Sequence, residues 1–313
     1  MKMETTSNAD FTDETLTQAV LKAFAMTPDP RLRQIMTSLV EHLHTFVREV
    51  EPTSHEWESA IDFLTRTGQT CDETRQEFIL LSDVLGVSML METIKDEAAP
   101  EATESTVLGP FHMTESPQRE LGDSIDLVGT GMPCVVTGRV LSMGGSPLAG
   151  AGVDVWQADE RGFYDVQVPD AQPAGNGRGL FTTDDDGRFW FRTVVPSHYP
   201  IPTDGPVGSL LDHTGRHPYR PAHIHFLVSA DGHEPLTTHI FVADSPYIDS
   251  DAVFAVKRSL IVEFTEENDA DVAAWYGVGV PFRHARFDLT LPVAMTTADH
   301  PNQTTTTPKS LTS

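Results

Sequence analysis

The segment Arg220-Pro221-Ala222-His223-Ile224-His225-Phe226 holds the residue types of this chain that are best suited to chemistry. On a β-strand, side chains two residues apart project to the same face, roughly 6.6–6.8 Å apart along the strand. His223 and His225 can therefore turn both imidazoles toward one metal ion while Ile224 and Phe226 pack on the opposite face. The neighbouring sequence holds no cysteine and the strand no carboxylate, so it encodes neither a thiolate site nor a local two-histidine, one-carboxylate site.

Two of the five tyrosines follow predicted strands. Tyr164 lies in RGFYDVQ, just after AGVDVWQA, and Tyr199 lies in PSHYPIPTDGPVG, just after RFWFRTVV. Loops that leave strands are where a rigid scaffold presents functional side chains. A phenol normally ionises with a pKa near about 10, and a bound trivalent iron would remove that proton. Two tyrosinates and two neutral imidazoles would leave such an ion with a single positive charge. The sequence alone does not exclude that either tyrosine has only a packing role.

The elements that must position these residues change in character near residue 100. Before it, apolar residues recur at helical spacing, as in residues 16–24 and 35–47. Thr53 and Glu56 form a predicted capping box that opens a third helix, and residues 71–94 predict one more helix or a helix pair. From about residue 125, short apolar stretches such as CVVTGRVLSM, RFWFRTVV, HIHFLVSA and HARFDLTL alternate with turn signals. This pattern predicts an antiparallel β-sandwich.

The predicted fold class is therefore α+β, with four segments along the chain. Residues 1–100 are the helical N-terminal region, and residues 101–124 are a linker between the two regions. Residues 125–293 are the β-sandwich domain that carries both histidines and both tyrosines, and the Thr/Ser-rich residues 294–313 are a predicted disordered tail.

Composition excludes several classes of function. The chain has 313 residues and no run of about 18 apolar ones, so no membrane span is expected. Acidic residues exceed basic ones by 46 − 21 = 25, which disfavours binding to nucleic acid. The N-terminal residues lack the apolar core of a secretory signal. Cys71 and Cys134 have no metal-ligand spacing and are expected to be reduced thiols in a cytoplasmic protein.

Three segments in this order, GFYDVQ, PSHYPIPTDGPVG and GRHPYRPAHIHF, closely resemble the intradiol ring-cleavage dioxygenases. The similarity runs from about residue 15 to residue 290, through EFILLSDVLGVSML and ESTVLGPFH. It implies that Tyr164, Tyr199, His223 and His225 hold one non-haem Fe(III) per subunit. It also implies a homodimer that forms through the N-terminal helices, with a lipid as a further candidate occupant of that interface.

Within the family, the hydroxyquinol 1,2-dioxygenases are the most similar, on GFYDVQ, GRGLFTTDDDGRFWFRTVVPS and ESTVLGPFH. This implies that both atoms of O2 enter hydroxyquinol, benzene-1,2,4-triol, to give 3-hydroxy-cis,cis-muconate or maleylacetate. Tyr199 would be displaced by the substrate and act as a base, Arg220 would stabilise the anionic ring, and His239 would polarise substrate or oxygen. The implied substrate pocket comprises Leu80, Asp83, Val107, Leu108, Gly109, Pro110, Phe111 and Arg220.

Asp83 is the pocket residue on which the choice of substrate depends. It interrupts the apolar stretch FILLSDVLGV, where an unpaired carboxylate would be costly to bury. It either accepts a hydrogen bond from the third hydroxyl of the substrate or makes a capping or inter-helix hydrogen bond, and relatives acting on catechol look similar here. Catechol or a chlorocatechol, with cis,cis-muconate as the product from catechol, is therefore the alternative substrate.

Two alternatives belong to other classes of function. The segment GRVLSMGGSPLAGAGVDVWQ resembles small non-catalytic β-sandwich binding domains, but this alternative leaves Tyr164, Tyr199 and RPAHIHF unexplained. A zinc hydrolase on the same scaffold lacks a carboxylate base beside the histidines.

Overall fold

A computed structural model of the chain describes residues 11–72, 75–113 and 115–294. Apart from Ala294, the predicted disordered tail lies outside the described residues. The chain divides into two compact units between Thr65 and Arg66.

The first unit is helical, as predicted. It contains α1 (Asp13–Phe24), α2 (Pro30–Val50) and most of α3 (Ser54–Gln69). The predicted capping box is present at the start of α3. The Thr53 backbone N–H donates to Glu56 Oε2 at 2.8 Å, and the Glu56 backbone N–H donates to Thr53 Oγ1 at 3.3 Å.

After the end of α3, the second unit contains a helix pair and two further short helices. α4 (Glu77–Val84) and α5 (Val87–Asp96) are separated by Gly86, whose φ of 72° ends the first helix. The prediction of a helix or helix pair over residues 71–94 is thereby resolved as a pair. The short helices α6 (Pro206–His213) and α7 (Ala270–Tyr276) were not predicted, because eight or seven residues give too little periodicity.

The strands of the second unit form two five-stranded sheets and one two-stranded sheet among the described residues. Their bounds are β1 (Pro133–Ser142), β2 (Gly152–Gln157), β3 (Arg178–Thr182), β4 (Arg188–Val194), β5 (Tyr199–Pro200), β6 (Tyr219–Arg220), β7 (His223–Ser229), β8 (Leu236–Val242), β9 (Ile261–Val262), β10 (Thr265–Glu267), β11 (Phe282–Arg286) and β12 (Leu289–Leu291). One sheet has the order β10-β11-β1-β12 with β4 also paired to β1, the second has the order β3-β2-β7-β8-β9, and β5 pairs with β6.

The prediction of a purely antiparallel sandwich is wrong in one respect, because both large sheets are mixed. β1 pairs in parallel with β11 and β12, and β8 pairs in parallel with β9. Turn signals reveal hairpins, whereas parallel partners are joined by long crossovers that leave no local signal. The segment HARFDLTL, predicted as one strand, contributes to both β11 and β12.

The main core lies between the two large sheets. Ile224 and Phe226 of β7 pack there with Val136 of β1 and Phe191 of β4. Because strand side chains alternate, this packing directs His223 and His225 to the opposite face of β7.

Candidate metal and substrate site

β7 lies between two strands that fix the position of both its histidines. In the pairing register, Trp156 of β2 and His239 of β8 flank His225 on its two sides. The Trp156 indole stacks on the His225 imidazole, with ring centroids 4.6 Å apart and planes inclined by 13°. His223 and His225 are both buried.

The two candidate tyrosines reach the same place from separate loops. Tyr164 lies beyond the end of β2, and its ring stacks on Phe111 with centroids 4.5 Å apart. Tyr199 begins β5 and pairs with Arg220 of β6. Both phenols are buried.

The four candidate ligand atoms, one from each of these two tyrosines and two histidines, form a closed ring, which we call the donor ring. Tyr164 Oη lies 3.4 Å from Tyr199 Oη, and Tyr199 Oη lies 3.4 Å from His223 Nε2. His223 Nε2 lies 3.2 Å from His225 Nε2, which lies 3.1 Å from Tyr164 Oη. Two ligands each about 2.1 Å from a common ion and about 90–110° apart lie about 3.0–3.4 Å from each other. The ring therefore has the dimensions of a metal-ligand set.

The protonation of the histidines agrees with metal binding. His223 Nδ1 lies 2.6 Å from the Pro221 carbonyl oxygen, to which it can only donate. In the neutral imidazole the lone pair is then on Nε2, the atom that faces the ring. Burial lowers the pKa of both His223 and His225 well below the usual value, so both are neutral and free to ligate.

The tyrosines fit a cation at the same point. Burial, followed by the neighbouring Tyr199, raises the pKa of Tyr164 well above the usual value for a phenol. A multivalent cation at the centre of the ring would reverse that shift, because it stabilises the phenolate directly. Two phenols and two imidazole lone pairs converging in a buried space thus fit a metal ion that accepts oxygen and nitrogen ligands.

His239 lies beside the donor ring, next to His223 and His225. Ligand atoms of His223, His225 and His239 all lie within 4.8 Å of one another, so the three histidines alone also form a candidate metal cluster. His239 Nδ1 is hydrogen-bonded to the buried Thr106 hydroxyl. Its Nε2 is buried without a hydrogen-bond partner among the described residues.

Arg220 brings a buried positive charge to the edge of the ring. Its Nη1 lies 3.3 Å from His223 Nε2, and its Nε donates to Asp251 Oδ1 at 3.1 Å. Burial alone would lower the pKa of Arg220, but the charge of Asp251 raises it, so the guanidinium stays cationic.

A small cavity adjoins Tyr199 and Arg220 and has a volume of about 10 Å³. Its lining includes seven of the eight predicted pocket residues: Leu80, Asp83, Val107, Gly109, Pro110, Phe111 and Arg220. Leu108 is not part of the lining and is 42% exposed. A Cβ atom at Gly109 would lie 3.0 Å from His225 Cε1, and its φ of 79° also favours glycine.

Three further residues, which the sequence did not predict, also line the cavity: Ile201, Pro202 and Val253. Ile201 and Pro202 follow Tyr199 within the motif PSHYPIPTDGPVG, so their proximity was available from the motif. Val253 lies in a loop between β8 and β9 that carries no recognisable motif.

Asp83 is buried and faces this cavity. Its Oδ1 is without a hydrogen-bond partner among the described residues. Burial raises the pKa of Asp83, against a smaller lowering by a Ser88 hydrogen bond and by the charge of Arg220. An unpartnered carboxyl oxygen in a cavity wall is available to a polar group of a ligand.

Two family models and several known proteins match most of the chain. A sequence model of the family described as Dioxygenase matches residues 108–292, and one described as Catechol dioxygenase N terminus matches residues 29–103. The chain is 52% identical over 278 residues to a hydroxyquinol 1,2-dioxygenase of Rhizobium sp. (strain MTP-10005), covering 88% of this chain and 94% of the relative. It is 52% identical over 260 residues to a 6-chlorohydroxyquinol 1,2-dioxygenase of Cupriavidus pinatubonensis, covering 83% and 94%.

A solved structure has the same fold. The hydroxyquinol 1,2-dioxygenase of Pseudomonas putida DLL-E4 superposes with a TM-score of 0.83 at 47% identity, covering 90% of this chain and 99% of that chain. The chain therefore belongs to the intradiol ring-cleavage dioxygenase family. In the described part of the chain, no helix is both long and apolar enough to cross a membrane.

Proposed function

We propose that this protein is a non-haem iron hydroxyquinol 1,2-dioxygenase, acting in the degradation of aromatic compounds. The observation that carries the proposal is the closed ring of two phenol oxygens and two imidazole nitrogens beside a cavity that Asp83 and Arg220 line. The reaction inserts both atoms of O2 into hydroxyquinol and opens the ring between neighbouring hydroxyls, giving 3-hydroxy-cis,cis-muconate or maleylacetate.

One Fe(III) per subunit would be held by Tyr164, Tyr199, His223 and His225. When bound, it would supply a Lewis acid that orients the dihydroxylated edge of the substrate and withdraws electron density from the ring. The Trp156 stack and the Pro221 carbonyl hydrogen bond would hold the two imidazoles in orientation for the ion.

Tyr199 is the residue that we propose makes room for the substrate. A cavity of about 10 Å³ holds roughly one water molecule, so a trihydroxybenzene must displace part of the lining. Tyr199 belongs both to the donor ring and to the lining, whereas Tyr164 belongs to the donor ring alone. On leaving the donor ring, the Tyr199 phenolate would accept a proton from a substrate hydroxyl at its Oη.

Arg220 and His239 would interact with the substrate during the reaction. The buried Arg220 guanidinium would stabilise negative charge that develops on the ring oxygens, in a place where water screens it little. His239, whose Nε2 has no hydrogen-bond partner in the described part of the chain, would donate or accept a hydrogen bond to substrate or oxygen without itself ligating the iron.

Asp83 would select the substrate. Its unpartnered Oδ1 would accept a hydrogen bond from the third hydroxyl of hydroxyquinol, a hydroxyl that catechol lacks. The names of the relatives from Rhizobium and Cupriavidus, a hydroxyquinol and a chlorohydroxyquinol dioxygenase, favour a trihydroxybenzene. Catechol remains the second candidate substrate because the apolar remainder of the lining would accept either ring.

The proposed assembly is a homodimer through the N-terminal helices. In the first unit, α2 exposes about half of each of four apolar side chains at helical spacing: Ile35, Leu39, Leu43 and Phe46. A second copy would cover this face, and a lipid is the other occupant proposed for it. A cytoplasmic location stays a prediction.

Oxygen uptake by the iron-loaded protein, with hydroxyquinol and catechol compared side by side, tests the proposal. The Tyr199→Phe variant serves as the blank because hydroxyquinol oxidises in air. Faster uptake with hydroxyquinol supports the proposed substrate, faster uptake with catechol replaces it, and uptake no faster than the blank with either contradicts the dioxygenase function.

A further inference from the structure

A second cleft lies on the outer face of the sheet that contains β1, which is not the sheet that carries β7. It has a volume of about 640 Å³. Its floor is formed by side chains of β1, β4 and β11, and its edge by the end of α7. No step of the proposed reaction uses it.

The charge of this cleft is opposite to that of the whole chain, which has 46 acidic and 21 basic residues. Arg139 of β1 lies directly opposite Arg188 of β4, and Arg286 of β11 also lines the cleft. Arg139 pairs with Asp288 at 2.7 Å, and Arg188 pairs with Asp186 at 2.8 Å.

Arg286 is the guanidinium in the cleft whose charge is left uncompensated. Across the described ranges it forms no ion pair with a carboxylate, and its Nη2 lies 2.9 Å from His284 Nδ1. Burial, together with the charge of Arg286, lowers the pKa of His284 to about 4, so this imidazole is neutral at pH 7. The cleft therefore presents a cation to solvent.

Aromatic rings line the same cleft. Trp275 is 69% exposed, and its ring centroid lies 5.5 Å from that of Trp190 and 4.5 Å from that of Tyr276. The exposed Trp275 indole and the Arg286 guanidinium, which has no carboxylate partner among the described residues, line the same cleft and offer both halves of a recognition site for a planar acid. The guanidinium takes the carboxylate in two parallel hydrogen bonds, and the indole takes the conjugated system.

We propose that this cleft binds a small planar conjugated carboxylate through Arg286 and Trp275. Such a ligand is either an aromatic acid or an open-chain unsaturated dicarboxylate of the kind that ring opening produces. The binding itself does not depend on the proposed enzymatic function.

Fluorine NMR of the iron-loaded protein, labelled with 5-fluorotryptophan, tests this site. The chain has four tryptophans, and Trp156 stacks on His225, so it reports on the donor ring instead of the cleft. Titration with benzoate and, separately, with cis,cis-muconate should shift the Trp275 resonance saturably. Trp275→Phe assigns that resonance, and Arg286→Gln should raise the dissociation constant about tenfold or more. Arg258→Gln, at another exposed arginine, should leave it unchanged.

The acid that binds more tightly identifies the source of the ligand. The proposal is overturned if neither acid shifts Trp275 at millimolar concentration, if only Trp156 responds, or if Arg286→Gln binds as wild type does.

A buried carboxylate also holds Arg220 at the cavity, and the role that we infer for this carboxylate rests on the proposed function. Arg220 Nε and Nη2 donate to the two oxygens of Asp251 at 3.1 and 3.4 Å. Asp251 also accepts the backbone N–H groups of Val253 at 3.3 Å and Ala255 at 3.0 Å. Arg220 and Asp251 are both buried, so water cannot replace these bonds.

A second arginine fixes the loop that carries Asp251. Arg216 Nη1 donates to the Val84 carbonyl at 2.6 Å, and its Nη2 donates to the Ala252 carbonyl at 2.9 Å. The same guanidinium lies 4.9 Å from the ring centroid of Phe254, whose φ of 60° is uncommon for a bulky residue. The loop is thereby tied to the end of α4, next to Asp83.

We infer that Asp251 is a positioning residue that sets the plane of the Arg220 guanidinium at the cavity, and that Arg216 fixes the loop on which it depends. Asp251→Asn in the iron-loaded protein should lower kcat about 10–100-fold through misplacement of Arg220. KM should change much less, and iron content should equal that of wild type. Adding Asp251→Asn to Arg220→Gln should cause little further loss, because the two residues act as one unit.

Asp288→Asn, which removes the partner of an exposed arginine, is the matched control and should leave kcat unchanged. Arg216→Gln keeps the buried pair intact and should lower kcat by a smaller factor, so it decides the matter if Asp251→Asn does not fold. Additive losses in the double variant, or wild-type kcat in both Asp251→Asn and Arg216→Gln, overturn the inference. Inactive wild-type protein would instead overturn the proposed function.

Discussion

The two walls of the candidate site are built in different ways. The donor-ring wall rests on β7, which has β2 and β8 hydrogen-bonded along its two edges. The cavity wall comes from α4, from residues 107 and 109–111, and from the loop that contains Val253. A paired strand fixes the direction of each side chain, since a slip of one residue would turn His223 and His225 into the core.

The cavity wall lacks such a register. It depends on individual polar contacts, such as the Arg216 bonds to the Val84 and Ala252 carbonyls. The contrast predicts that the two imidazoles keep their positions while the choice of substrate varies with irregular segments, which can change without disturbing the sheet.

The largest effect is expected from removing one of the two histidines of β7, because this should abolish iron binding at the donor ring. We expect His225→Ala to lose nearly all bound iron and all ring-opening activity, because the three remaining ligand atoms would hold the ion too weakly. Iron per chain, measured by elemental analysis after purification, checks this. His284→Ala, at a buried histidine of β11, is the control and should keep its iron. Near wild-type iron content in His225→Ala would show that the ligand assignment is wrong.

Tyr199 belongs to both walls, so replacing its phenol should reduce the turnover rate much more than the amount of bound iron. Tyr199→Phe should retain part of the iron and lose activity about 10²–10⁴-fold, the usual contribution of a positioned acid or base. The rate of O2 uptake per bound iron measures this loss. Activity per iron equal to wild type would exclude the displaced-ligand role.

Asp83 tests the cavity wall alone. Asp83→Asn should lower the ratio of kcat/KM for hydroxyquinol to that for catechol about 10–100-fold, with iron content unchanged. Both rates are measured on the same preparation. An unchanged ratio would assign Asp83 to a structural hydrogen bond instead of substrate selection.

The last expected effect is on the free energy of unfolding of the iron-free chain and not on turnover. Burial lowers the pKa of His223, His225 and His239, so the unfolded chain binds more protons than the folded chain below about pH 6.5. The free energy of unfolding should therefore fall as the pH drops from 6.5, by at most about 1.4 kcal/mol per pH unit for each histidine. Denaturant unfolding of iron-free protein between pH 7 and pH 5 measures this slope. His239→Gln should reduce it by one group, and an identical slope in that variant would contradict the assignment.

The sequence predicted the features that local patterns encode. The alternation of β7 predicted that Ile224 and Phe226 face the core, and the spacing of Thr53 and Glu56 predicted a capped helix. The mixed sheets were missed because parallel pairing depends on strands far apart in the chain. Val253 and the Asp251 contact with Arg220 were missed for a similar reason, since their loop reaches the site through the fold and not through a motif.

The most direct test of the ligand assignment is a crystal structure of the iron-loaded protein with anomalous scattering measured at the iron edge. We expect one iron per chain, about 2 Å from Tyr164 Oη, Tyr199 Oη, His223 Nε2 and His225 Nε2. Iron bound instead by His223, His225 and His239, with either tyrosine outside ligand distance, would contradict it.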